Sequence, residues 1–153
     1  MISRGCQCFS VQARQGFDPI YSGCADADLA SLKTRVEPRK VLVVDDYPVV
    51  CEALRLLLEF DGHEVTIANC GSEALARAQT INFDLVVTDY FLPGMRGDEV
   101  AAAFKERSQS VPVIMLTASA PEGRPMNADI ILEKPCSLDR LRSALQHVWT
   151  TGG

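Results

Sequence analysis

The 153-residue chain is short of several things, and each shortage narrows its function. No apolar run approaches the roughly 18 residues of a membrane span, so no membrane segment is expected. The opening MISRGCQCFSVQARQGF lacks the continuous apolar centre of a secretory signal, and a cytoplasmic protein is expected. Lys and Arg number 15 against 20 Asp and Glu, a formal charge of −5. Phosphate backbones are held by clustered cations, so nucleic acid is not expected as a partner. No Gly-rich loop follows any apolar run, which speaks against nucleotide enzymes. Histidine occurs only as His63 and His147, both expected at the surface and away from the functional end of any strand.

Six cysteines are present. Cys6, Cys8 and Cys24 offer three thiolates, but a closed zinc site wants four ligands with recognisable spacing. No histidine lies near to complete it. Unpaired thiols in a cytosolic setting are the better reading.

Residues 1–39 show no sustained period of 2 or 3.6 and mix Gly, Ser, Asp and Gln with a few apolar residues. They read as a flexible extension, in which DADLASLKTRV has two helical turns' worth of pattern with Asp28 as cap. From Lys40 the pattern changes. VLVV (41–44) is a β-branched run suited to a strand buried on both faces. Pro48 opens a helical stretch to about Phe60, with Val50, Leu54, Leu57 and Leu58 on one face. Further strands follow in HEVTIA, DLVVT (84–88), VPVIML and DIIL. Helices are predicted in GSEALARAQ, with Ala74, Leu75 and Ala78 inward, and in GDEVAAAFKER, with Val100, Ala103 and Phe104 inward. Ser137 caps a last helix with Leu138, Leu141, Leu145 and Val148 on one stripe.

Strands alternating with helices imply right-handed crossovers and a parallel sheet covered on both faces. The expected fold is α/β, a doubly wound five-stranded domain over 40–150 with a tail at 151–153. Ligands in such folds bind outside the carboxyl ends of the strands. There the sequence places Asp45 and Asp46, Asp89, Thr117, and Lys134 followed by Pro135. Each alone is an ordinary turn, cap or loop residue. Together they bring three carboxylates, a hydroxyl and an ammonium to one edge. Clustered carboxylates repel, and a hard divalent cation relieves that repulsion through oxygen ligands while keeping several waters.

VLVVDD (41–46), DLVVTDYFLPGMRG (84–97), VIMLTA (113–118) and LEKP (132–135) resemble the response-regulator receiver domains of two-component signalling, over about 110 of the 153 residues. The resemblance implies a flavodoxin-like receiver fold. It implies that Asp89 is the phosphoacceptor, a carboxylate nucleophile toward phosphohistidine. It assigns Mg²⁺ to Asp45, Asp46, Asp89 and the backbone carbonyl of Phe91, with Asp45 partly through water. Thr117 and Lys134 would each contact a phosphoryl oxygen. Pro93 and Gly97 match the turn into the third helix, where Gly97 is expected for its backbone freedom. A cis Lys134–Pro135 bond is expected. The implied partners are a sensor histidine kinase or histidine phosphotransfer protein and an unknown downstream protein. A monomer or weak dimer is expected, and an enzyme only toward its own phosphate.

The sequence departs from the family at two points. Three before Lys134 stands Ile131, where an aromatic is usual. Thr117 to Lys134 spans seventeen residues, with Pro121, Gly123 and Pro125 inside, so at most one turn of the usual fourth helix is expected. This resembles an atypical form without the switch aromatic. A segment at 118–128 that orders on phosphorylation is the favoured reading, and a tolerated deletion the plain one. Cys136 is read as a small filler rather than a redox sensor. The residues end at VWTTGG just past the last helix, so a stand-alone receiver signalling by protein contact is expected. Two other classes stay open. One is a phosphorylation-independent binding module. The other is a metal-dependent phosphatase, disfavoured because Asp45-Asp46-Tyr47 lacks the Asp-x-Asp of the haloacid dehalogenase type.

Overall fold

A computed structural model describes residues 37–119 and 127–151. The expected helical turns over 26–36 lie outside these residues. So do positions 120–126, the middle of the Thr117–Lys134 segment, and the end of the chain. The described elements fall within one contact unit, Val36–Gly153.

Five strands form one parallel sheet: β1 (Lys40–Val44), β2 (Glu64–Ala68), β3 (Leu85–Asp89), β4 (Val113–Thr117) and β5 (Ile130–Glu133). Their order is β2-β1-β3-β4-β5. The helices are α1 (Pro48–Phe60), α2 (Gly71–Ala78), α3 (Gly97–Arg107) and α4 (Leu138–Thr151). The strand order reverses direction beside β1, which opens the crevice between β1 and β3 where such folds bind ligands.

Both faces of the sheet are covered, and alternation along the strands sorts the core into two halves. Val41, Val43, Leu85, Val87, Ile114, Leu116 and Leu132 face α1 and α4. Leu42, Val44, Val86, Val113 and Met115 face α2 and α3. The three central strands are therefore apolar at nearly every position, as strands buried on both sides must be.

The helices begin where local chemistry allows. Pro48 occupies the first turn of α1, where a missing N–H costs nothing. Glu99 accepts the backbone N–H of Arg96 (2.7 Å) and so satisfies a donor at the start of α3. Ser137 Oγ accepts the N–H of Arg140 (3.3 Å) at the start of α4, the predicted cap.

Several burial assignments change. Ala101, not Ala103, is buried on α3 with Val100 and Phe104. Leu138 is exposed, and Ala144 joins Leu141, Leu145 and Val148 in the core. Cys51 is buried on α1, at the apolar spacing that leads to Leu54 and Leu58. His63 is buried rather than superficial. Its ring lies against Trp149 (centroids 4.6 Å apart), because the turn after α1 tucks it under the last turns of α4.

Candidate functional site

The loop after β1 holds the first carboxylate in place by its own backbone. Asp45 N–H continues the ladder to Ala68 O (3.2 Å), and Asp45 Oδ1 accepts the N–H of Tyr47 (2.9 Å). The buried thiol of Cys51 donates to the Asp45 carbonyl (3.1 Å) from the first turn of α1. Asp45 is thus buried and fixed, while its neighbour Asp46 is exposed.

Asp89 is the last residue of β3, one position beyond the predicted end of that strand. The close approach of α3 sets its place. A Cβ added to Gly97 would lie 2.1 Å from the Asp89 carbonyl oxygen, and Gly97 N–H donates to Tyr90 O (2.9 Å). Gly97 is therefore required for space, not for backbone freedom. The positive φ in this loop belongs to Gly94 (80°).

Lys134 arrives from the far side of the sheet. Its N–H donates to Thr117 O (2.7 Å), which extends the β4–β5 ladder by one step. Its ammonium then reaches Asp45 Oδ2 (2.7 Å) and Asp89 Oδ1 (3.2 Å). The following Lys134–Pro135 bond is cis. Thr117 is fully buried, and its hydroxyl donates to Ser119 O (2.5 Å). Phe91 is half exposed and meets Tyr90 edge-on.

Carboxylate oxygens of Asp45, Asp46 and Asp89 lie within 4.8 Å of one another. Burial pushes the Asp89 carboxyl above its ordinary value; the nearby Lys134 charge pulls it back in part, and Asp45 pushes it up again. Burial pulls the Lys134 ammonium down, but its hydrogen bond to Asp45 and the charges of Asp45 and Asp89 outweigh that and leave it raised. One ammonium stands among three carboxylates. Such an all-oxygen, acid-rich set suits a hard cation such as Mg²⁺. An ionised carboxylate in this setting is also a nucleophile for a phosphoryl group whose charge the ammonium offsets.

The structure brings together Asp45, Asp46, Asp89 and Lys134, and sets Thr117 at the end of the neighbouring strand. One contributor, Cys51, was missed, and it was findable because it falls on the apolar spacing of α1.

The model of the response regulator receiver domain matches residues 41–146. The sensory transduction protein RegX3 of Mycobacterium tuberculosis is 37% identical over 118 residues, covering 74% of this chain and 52% of its own. The alkaline phosphatase synthesis transcriptional regulatory protein PhoP of Bacillus subtilis is 38% identical over 104 residues, covering 65% of this chain and 43% of its own. The chain spans about half the length of the curated relatives it matches. Among solved structures, the response regulator TrrA of Thermotoga maritima in complex with Mg²⁺-BeF is 32% identical with a TM-score of 0.67. It covers 72% of this chain and 98% of its own. The chemotaxis response regulator CheY4 of Vibrio cholerae is 36% identical with a TM-score of 0.67, over the same shares. This chain belongs to the response regulator receiver domain family of two-component signalling.

Proposed function

We propose that residues 40–150 act as a receiver that takes a phosphoryl group onto Asp89 from a phosphohistidine, supplied by a sensor histidine kinase or a histidine phosphotransfer protein. The observation that carries this reading is the contact of one ammonium, Lys134, with both Asp45 and Asp89 inside a cluster of three carboxylates. A carboxylate oxygen of Asp89 attacks phosphorus, the P–N bond breaks, and the imidazole keeps the electron pair and takes up a proton. Lys134 pairs with one phosphoryl oxygen, and the Thr117 hydroxyl turns from Ser119 to donate to another. Asp45, Asp46, Asp89 and the Phe91 carbonyl hold Mg²⁺, which when bound offsets charge on the phosphoryl group. The chain catalyses only its own phosphorylation and dephosphorylation.

The added charge, about −2 by analogy with other phosphorylated side chains, is read by a protein partner in the cytoplasm. Tyr47, Phe91 and Leu138 are exposed close in sequence to Asp46, Asp89 and Lys134. Among the described residues no helix is long and apolar enough to cross a membrane.

Incubation with acetyl phosphate and Mg²⁺ tests the reading. The full chain takes up an acid-stable, base-labile label, and Asp89→Asn takes up none. A wild-type chain that stays unlabelled overturns it.

A further inference from the structure

Tyr90 follows Asp89 at the exposed edge of the sheet, yet it is only 8% exposed. Its ring belongs to the core layer facing α2 and α3, with Val86, Met115 and Val113. The β3–β4 register pairs Thr88 with Met115 and Asp89 with Leu116. Tyr90 N–H continues that ladder to Leu116 O (2.8 Å), so the next pair is Tyr90 with Thr117. Paired residues on adjacent strands stand about 4.8 Å apart and project to the same face. Thr117 lies two residues after Met115, on that same layer, and is fully buried. The Tyr90 ring is therefore the neighbour of the Thr117 side chain on the α2–α3 face. Phe91, meeting it edge-on (centroids 4.8 Å, 86°), holds the ring from the solvent side.

The Thr117 hydroxyl meanwhile donates to Ser119 O and lies within 3.4 Å of the Ser119 N–H. It can serve Asp89 only by leaving that carbonyl, and its neighbour on the adjacent strand is Tyr90. We infer that Tyr90 is a positioning residue for phosphoryl transfer, its ring confining Thr117 so that the hydroxyl, once released from Ser119, aims at the group on Asp89. This rests on the proposed role of Asp89 and specifies how its hydroxyl contact is held. The ring acts by shape, since no hydrogen bond of its hydroxyl enters the argument.

The test is a double-mutant cycle on the full chain, reading the initial rate of label uptake from acetyl phosphate with saturating Mg²⁺. Thr117→Ala and Tyr90→Ala each slow uptake by about fivefold or more, the scale of coupling between contacting residues. The double variant is no slower than Thr117→Ala alone, because without the hydroxyl there is nothing left to aim. Tyr90→Phe keeps the wild-type rate. Tyr90→Leu, which retains bulk and protects folding, slows uptake in the Thr117 background only. Thermal melting of each variant confirms that it is folded. Wild-type uptake in a folded Tyr90→Ala or Tyr90→Leu chain overturns the inference. So does an equal slowing with and without Thr117, which marks a structural effect. An unlabelled wild-type chain strikes instead at the role of Asp89.

Discussion

The two ends of the sheet treat charge in opposite ways. At the amino end three aspartates each have a donor of their own. Asp61 takes a two-pronged bond from Arg142 (2.9 and 3.0 Å), tying the end of α1 to α4. Asp129 accepts both Lys105 Nζ and the Val113 N–H (2.7 Å each), pinning the start of β5 to β4 and α3. Asp84 receives the Lys40 N–H (2.8 Å). At the carboxyl end three carboxylates cluster, and one ammonium contacts only the two that are buried, Asp45 and Asp89. Acid matched with donors of its own holds elements together. Acid gathered in excess raises the free energy of the empty site and favours whatever cation or charge-offsetting group arrives. The same residue type, aspartate, is mortar at one end and chemistry at the other.

The contrast can be broken most severely at Gly97. A Cβ there meets backbone at the Asp89 carbonyl, which no rotamer change relieves. Gly97→Ala is expected to lower stability by about 2 kcal/mol or more and to abolish Asp89 labelling, checked by denaturant titration and by acetyl phosphate uptake. Removal of Lys134 comes next. Lys134→Ala leaves the carboxylates with no ammonium, so label uptake falls by about 10²-fold. Added Mg²⁺ then raises the melting temperature more than it does in the wild type, since the metal alone offsets the repulsion.

At the amino end the effects are smaller and purely structural. Asp61→Asn weakens the partly exposed link to Arg142 and lowers the melting temperature slightly, with label uptake unchanged. A change in uptake would break the division between the two ends. The smallest effect concerns His63. Burial holds its imidazole below the ordinary value, with the nearby Asp61 acting against this and Arg39 adding to it. The unfolded chain therefore binds a proton that the folded chain resists. The stabilising contribution is fully present above about pH 6.5, the unfolded value, and is lost as pH falls through the folded value. Melting temperatures between pH 7.5 and 5.5 should fall less steeply in His63→Phe than in the wild type.

Much of the site could be read because its residues sit at strand ends, and strand ends are visible in the sequence as the places where β-branched runs stop. Asp45, Asp46, Asp89, Thr117 and Lys134 were all placed this way, and β3 itself runs one residue past its predicted end because Asp89 joins the ladder to β4. His63 was misread for the opposite reason. Nothing local hides it; Trp149 does, from the other end of the domain. Gly97 was recognised but given the wrong reason, because a glycine needed for φ and one needed for space look the same in a sequence.

By itself the sequence determined the alternation of strands and helices, the two-faced burial of the central strands and the identity of the charged residues at one edge. These follow from periodicity and composition, which are local. Only the tertiary structure decided which groups meet. Register across β3 and β4 put Tyr90 beside Thr117, the cover of α4 buried His63, and the ladder through Lys134 N–H brought its ammonium onto Asp45 and Asp89. Those pairings join residues far apart in the chain, and packing rather than local preference sets the distances between them.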